Sequence, residues 1–282
     1  MVKTKMAISA IGTVMVIILC IAVFFESTYA SETNEKNAGS AYAISSVEAL
    51  KQELQKIDTE NMTEDKMLLL AKETEPEVIR KFITEKEGEM DRVLGDEVLV
   101  IIGDEKNYVK KYDLGDGCWV KFEYSEQEEE TIAEKAKNYL INPIYAVSKS
   151  GYKTGWQSYK GGKNYTYTAK ASVMYGVASG IYKLKAKYRL TSGGIKLNDI
   201  IPSSEDSGLL RISNVKDKIT DSSATTPGNS DCDAYATYKT TYGSDPIQWS
   251  KSYIMRLKIK YLAKDTVNKE IQNTREWTFK NL

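Results

Sequence analysis

Apolar residues recur at helical spacing in three segments near the start of the chain. The first segment, residues 46–57, opens with a Ser-Ser-Val-Glu sequence that is typical of a capping box. The second segment is residues 63–72. The third has Thr74 as its cap and Pro76 in its first turn, and it stops at Gly95. The pattern therefore predicts three consecutive helices.

The pattern then changes from a helical to an alternating period. Residues 98–102 are rich in β-branched side chains, and residues 107–113 and 118–124 alternate on either side of a Leu-Gly-Asp-Gly turn. These segments predict a small antiparallel sheet. Helical spacing returns over residues 126–140, whose acidic first turn favours one more helix, and this helix would connect two domains.

Three long alternating rows follow, beginning at Tyr165, Tyr182 and Tyr253. Their period predicts half-buried antiparallel strands, and tyrosine at every second position favours the inner face of a sandwich. The predicted fold class is α+β. It combines an acidic helical domain with a small β-sheet over residues 44–142 and a basic C-terminal antiparallel β-sandwich over residues 150–282.

The first thirty residues have the layout of a secretory signal peptide. Two lysines precede an apolar run over residues 6–25, and small residues favour cleavage after Ala30. Because the apolar run is long enough to span a bilayer, an uncleaved N-terminal membrane anchor is the alternative. Residues 31–43 are small and polar, which predicts a flexible linker. Both alternatives predict a secreted or cell-surface location.

Composition excludes many kinds of chemistry. The 282 residues include no histidine, so imidazole bases, histidine-containing triads and histidine metal ligands are excluded. No phosphate loop, dinucleotide fingerprint or CxxC sequence is present. An enzyme would have to rely on carboxylates, but Asp113 and Asp116 flank a tight turn, where aspartate has a local backbone role. We therefore predict no catalytic residue, cofactor or metal, and we favour a protein that is not an enzyme.

The zero net charge is the sum of two opposite halves. Residues 31–140 contain 15 basic and 27 acidic residues, a net charge of −12, whereas residues 141–282 contain 22 and 11, a net charge of +11. Such halves attract each other at low ionic strength, and each would attract external partners of opposite sign.

Two rows of cations in the C-terminal half are the strongest candidate site. Side chains two residues apart on a strand point the same way at a spacing of about 6.6 to 6.8 Å, which suits a repeating polyanion such as a wall polymer, an acidic glycan or an anionic lipid surface. The alternatives are a solvated strand face and intramolecular docking of the acidic half. Since like charges directly opposite each other destabilise a sheet, we expect the rows not to be adjacent. Nucleic acid does not fit an exported protein. The first row is Lys183, Lys185, Lys187 and Arg189, and the second row is Arg256, Lys258 and Lys260.

Smaller sets of residues suggest further sites. Trp156 and Trp249 lie near a glycine or a turn, where an exposed ring would stack on a glycan. Cys118 and Cys232 would form one disulfide in an exported protein or remain free thiols. A polar loop offers oxygen ligands of the type that calcium prefers, but their spacing matches no established calcium loop, and a solvated loop is the alternative. The loop residues are Asp221, Asn229, Asp231 and Asp233.

The run Tyr112-Asp113-Leu114-Gly115-Asp116-Gly117, followed by alternation over residues 119–124, resembles uncharacterised secreted proteins of Gram-positive bacteria. Those proteins share a helical N-terminal region, a similar turn and a Gly- and Tyr-rich β region. The resemblance implies export and no named activity.

The sequence as a whole predicts an exported, non-catalytic surface or binding protein. Its basic, Tyr-rich sandwich would bind an anionic wall polymer, glycan or lipid surface. Two other classes stay open. Long amphipathic strands would suit a membrane-active, β-pore-forming protein. A pair of carboxylates in a deep cleft would suit a hydrolase.

Overall fold

The first described residues form the three predicted helices. The computed structural model describes residues 42–94, 98–102, 107–129, 155–244 and 247–282. The Ser46 hydroxyl accepts a hydrogen bond from the backbone N–H of Ala49 at 3.2 Å and so caps the first helix. Thr74 ends the second helix instead of capping the third, because its hydroxyl donates to the carbonyl oxygen of Leu70 at 2.7 Å. The helices are α1 (Val47–Gln55), α2 (Glu64–Glu73) and α3 (Pro76–Leu94), and a 3-10 turn spans Thr59–Asn61.

The rest of the described chain is almost entirely β-strand. Each long strand predicted from an alternating row is present, and the apolar members of the rows are buried. The strands in the described ranges are β1 (Val98–Ile102), β2 (Asn107–Asp113), β3 (Trp119–Glu128), β4 (Trp156–Ser158), β5 (Asn164–Met174), β6 (Ala178–Thr191), β7 (Gly194–Gly208), β8 (Leu210–Asp221), β9 (Ser223–Ala224), β10 (Ser230–Ser244), β11 (Ile247–Asp265) and β12 (Glu270–Asn281).

These strands pair antiparallel in two sheets. The β6 sheet has the order β2-β3-β5-β6-β7-β9. The β11 sheet has the order β1-β12-β11-β10-β8, and β4 also pairs with β12. Helices followed by mostly antiparallel sheets confirm the α+β class.

The inner faces of the two sheets contact each other through aromatic rings. The ring centroid of Tyr182 in the β6 sheet lies 5.4 Å from that of Tyr253 and 5.2 Å from that of Phe279, both in the β11 sheet. The Tyr182 hydroxyl is hydrogen-bonded to the hydroxyl of Thr240 at 2.7 Å. These tyrosines are buried, so the main core lies between the sheets.

The predicted boundary between an acidic and a basic domain does not divide the core. Strand β3 pairs with β5 along its length, and β1 belongs to the β11 sheet instead of forming a small sheet with β2 and β3. Residues 42–282 form one compact unit. The helix predicted over residues 126–140 is wrong at its start, because Glu126–Glu128 belong to β3. Residues 130–140 lie outside the described residues.

The helices pack against one end of the strands. Leu54 of α1 lies against Gly176 in the β5–β6 turn, and the Thr59 hydroxyl donates to the carbonyl oxygen of Gly117 at 2.5 Å in the β2–β3 turn. Lys86 of α3 donates to the carbonyl oxygen of Leu114 at 2.8 Å in the same turn. The end with these turns is therefore covered by helices, and the opposite strand ends carry a separate set of polar residues.

Helices long and apolar enough to cross a membrane are absent from the part of the chain that the structure describes. The predicted signal peptide (residues 1–30) and almost all of the predicted linker (residues 31–43) lie outside that part.

Candidate binding surface

The first cationic row lies on the outer face of the β6 sheet. Its residues alternate with buried Tyr182, Leu184 and other inward residues of β6, so the row points away from the core. Strand β6 is central in its sheet, with β5 on one side and β7 on the other. Lys183 and Lys185 are half-buried, and Lys187 and Arg189 are exposed.

The three lysines of this row form no ion pair with any carboxylate of the described residues. Asp199 lies opposite Lys187 on β7 without pairing to it. Lys170 lies opposite Lys183 on β5, but Lys170 is neutralised by Glu123 at 2.9 Å. Within the described ranges, the positive charge of these lysines is therefore not compensated by a carboxylate.

The second cationic row lies on the outer face of the β11 sheet and is compensated. The guanidinium of Arg256 binds both carboxylate oxygens of Asp233. The other two cations of the row also form ion pairs, Lys258 with Asp231 at 3.0 Å and Lys260 with Glu276 at 2.7 Å. Each cation of the second row thus has a carboxylate partner supplied by a neighbouring strand.

The two rows do not merge into one patch. They belong to different sheets, and the buried aromatic core lies between the faces that carry them. This confirms the expectation that they are not adjacent. The acidic half does pair with the basic half, but at other residues: Glu87 contacts Lys251 at 3.0 Å and Glu123 contacts Lys170.

The three aspartates among the candidate calcium ligands are engaged by local partners. Asp231 and Asp233 pair with cations of the second row, and Asp221 accepts a hydrogen bond from the backbone N–H of Ser223 at 3.1 Å. No group of three or more carboxylate or thiol side chains able to hold a metal occurs within the described ranges. The residues of this loop therefore act in ion pairs and turns.

Of the two alternatives for Cys118 and Cys232, a disulfide or free thiols, the structure has free thiols, and both are buried. Burial raises the pKa of the Cys118 thiol to about 12 and that of the Cys232 thiol to about 11. A buried thiol with a raised pKa is a weak nucleophile, so both act as small core residues.

The two candidate tryptophans have different surroundings. Trp249 is half-buried and stacks on Tyr242, with ring centroids 5.3 Å apart and an interplanar angle of 18°. One face of the Trp249 ring is therefore occupied by the protein itself. Trp156 is half-buried at the strand ends opposite the helices, where it lines a cavity.

A buried polar network lies beside this cavity. The guanidinium of Arg275 binds the carboxylate of Glu126 at 3.0 Å, with side-chain exposures of 2% and 4%. The hydroxyl of Tyr188 donates to the other oxygen of Glu126. Gln157 donates to Glu126 at 2.8 Å and accepts from the side-chain amide of Asn273 at 2.9 Å. Residues from several strands thus supply hydrogen-bond partners to one buried ion pair.

No protein-family model, curated protein or solved structure matches this chain. Function must therefore be inferred from the arrangement of its own residues.

Sequence reasoning missed the network, although one signal was present. Ile271, Asn273, Arg275 and Trp277 alternate on β12, so Arg275 occupies an inward position in an otherwise buried row. A charged residue at such a position requires a buried partner. The sequence pattern did not identify Glu126 as this partner, because the acidic run around Glu126 favours the start of a helix.

Proposed function

We propose that this chain is an exported, non-catalytic surface-binding protein whose two sheets form a β-sandwich and whose first cationic row binds a linear polyanion. The observation that carries the proposal is the contrast between the rows. Lys183, Lys185 and Lys187 lack carboxylate partners among the described residues, whereas each cation of the second row has one.

The spacing of the first row supports binding to a repeating anion. Neighbouring lysines on the strand are about 6.6 to 6.8 Å apart, which is less than the screening length of about 8 Å in physiological salt. The lysines therefore act as one extended positive potential. From Lys183 to Arg189 the row spans about 20 Å, which is long enough to contact several charges of one polymer. An exported protein would meet anionic wall polymers, which carry such a series of negative charges.

The two other classes have less support. The apolar faces of β6 and β11 contact each other in the core, so they are not available to line a membrane pore without rearrangement. The cavity beside the polar network does contain two carboxylates, Glu126 and Glu128. Glu126 is ion-paired with Arg275 and Glu128 with Lys163, whereas a carboxylate hydrolase needs two carboxyl groups that act on the substrate.

The test is co-sedimentation of residues 31–282 with anionic cell-wall material and, separately, with vesicles that contain phosphatidylglycerol, over a salt series. The variant Lys185→Gln/Lys187→Gln removes two charges of the first row. Since a lysine near an anionic surface contributes about 1 kcal/mol, we expect binding to weaken by roughly thirtyfold. The matched control Lys258→Gln/Lys260→Gln removes the same charges at the same spacing from the compensated row, and we expect little change.

Each outcome has a distinct meaning. Retention on wall material that falls with salt and with the first-row variant supports the proposal. Equal weakening by both variants, or binding to vesicles alone, would reject a polymer site on the first row. Absence of binding, together with a compact particle that loosens at high salt, would mean that the two charged halves are each other's partner.

A further inference from the structure

A cavity of about 190 Å³ opens at the strand ends opposite the helices. It is smaller than the pockets of about 300 to 1,000 Å³ that hold drug-sized ligands, so its size suits a single small ring. The cavity combines two aromatic residues with carboxylate, amide and hydroxyl groups. Its lining consists of Glu126, Glu128, Trp156, Gln157, Ser158 and Tyr165.

The wall of the cavity is fixed in position by β4 and β12. Gly155 has a φ of +74°, and a Cβ there would collide with the carbonyl oxygen of Asn273. The carbonyl of Gly155 also accepts the backbone N–H of Asn273 at 2.9 Å. This close approach requires glycine and fixes the start of β4 against β12. The side chain of Gln157 is held in turn by Asn273 and Glu126.

The charges of the cavity are already balanced. The carboxylate of Glu126 pairs with Arg275 at 3.0 Å, and that of Glu128 pairs with Lys163 at 2.6 Å. An anionic ligand would meet two carboxylates, and a cationic ligand would compete with cations that are part of the protein. The electrostatics therefore favour an uncharged ligand.

Several polar atoms retain hydrogen-bonding capacity. The side-chain amide of Gln157 has two N–H groups and donates one of them to Glu126. The hydroxyl of Ser158 accepts a hydrogen bond from the backbone N–H of Lys160, and its own hydrogen has no acceptor within the described residues. Glu128 uses one carboxylate oxygen on Lys163, and the hydroxyl of Tyr165 donates to the carbonyl of Ser158 and can still accept. Donors and acceptors thus lie together beside the half-buried ring of Trp156, whereas one face of the Tyr165 ring stacks on Tyr188.

We propose that this cavity binds one uncharged sugar ring. Sugar hydroxyls each donate and accept hydrogen bonds, and their ring C–H groups pack on aromatic surfaces, which matches the mixed lining of the cavity. The inference does not rest on the proposed polyanion site, because it uses none of the lysines of the first row.

The test is saturation-transfer NMR and titration of residues 31–282 with the methyl glycosides of neutral hexoses and N-acetylhexosamines. The variants Glu128→Ala and Tyr165→Phe each remove a polar group from the lining. Loss of a hydrogen bond to a charged group costs about 1.5 to 3 kcal/mol, so we expect Glu128→Ala to weaken binding about tenfold or more. The matched control is Gln127→Ala, since Gln127 is the exposed neighbour that faces away from the cavity.

Three results would overturn this inference. The first is no saturation transfer from any neutral glycoside to the folded protein. The second is equal weakening by Gln127→Ala and Glu128→Ala. The third is displacement of the sugar by tetramethylammonium or inorganic phosphate, which would indicate a charged ligand. Unchanged sugar binding in Lys185→Gln/Lys187→Gln would separate this site from the polyanion site.

Discussion

Glu126→Gln should destabilise the protein strongly, because it leaves the guanidinium of Arg275 buried without a counter-charge. The two side chains are 4% and 2% exposed and lie 3.0 Å apart. The other partners of Arg275 among the described residues are neutral, namely the hydroxyl of Tyr124 at 3.4 Å and the side-chain oxygen of Asn273 at 3.0 Å. These dipoles cannot replace a full negative charge beside a guanidinium that is almost fully buried.

The size of the effect follows from the burial of the pair. Breaking a buried ion pair by removing one partner costs about 3 to 5 kcal/mol. In a protein of this size, each 1 kcal/mol shifts Tm by about 2 to 4 °C, so Tm should fall by roughly 6 to 20 °C. The pair Lys56–Glu53 provides a surface control, since its side chains are 65% and 44% exposed. Glu53→Gln should cost less than about 1 kcal/mol.

The assay is urea and thermal unfolding of the wild type, Glu126→Gln, Arg275→Met and the double variant. Since the double variant removes both charges, its loss of stability should be smaller than the sum of the single losses, with a coupling of up to about 3 kcal/mol. Equal losses in Glu126→Gln and Glu53→Gln would refute the reasoning, because they would mean that solvent screens the Glu126–Arg275 pair.

Other predictions concern the helix-covered end and the thiols. Burial would raise the pKa of Asp116, but hydrogen bonds and the charge of Lys86 outweigh it and hold the pKa below its ordinary value. The Asp116 carboxylate therefore stabilises the fold at pH values above its unfolded pKa, and this stabilisation is lost as the pH falls through the folded pKa. In urea titrations, Asp116→Asn should be less stable than the wild type at neutral pH, and the difference should vanish in acid. Gly117→Ala should lower Tm more than Gly161→Ala, because both glycines have positive φ but only a Cβ at residue 117 would meet Thr59. The two cysteines should react with a thiol reagent such as dithiobisnitrobenzoate only after denaturant unfolds the chain, and prompt reaction of the native protein would contradict their burial.

Local patterns were sufficient to predict most elements. Alternation predicted β5, β6 and β11 together with their buried tyrosines, because period two fixes both the strand and its inner face. The cap of α1 was similarly local, since Ser46 acts only on the first turn of its own helix. In each case the deciding interactions lie within a few residues of each other.

Pairing between distant strands could not be predicted in this way. Glu126 lies in an acidic run that suits a helix start, yet pairing of β3 with β5 places it opposite Tyr167 in a strand. The ion pairs that neutralise the second cationic row also depend on how strands pair. Register sets Asp233 opposite Lys258 and diagonal to Arg256, which binds it. The pairing of β11 with β10 and with β12, which supplies Glu276 to Lys260, distinguishes this neutralised row from the first row on β6.

The most direct test of the polyanion site is lysine acetylation footprinting of residues 31–282 with and without wall polymer, read out by mass spectrometry. We expect the polymer to protect Lys183, Lys185 and Lys187 from acetylation at low salt and to release them at high salt. Lys258 and Lys260 should react equally in both samples. Protection of Lys258 and Lys260, or uniform protection of all surface lysines, would contradict a binding site on the uncompensated row.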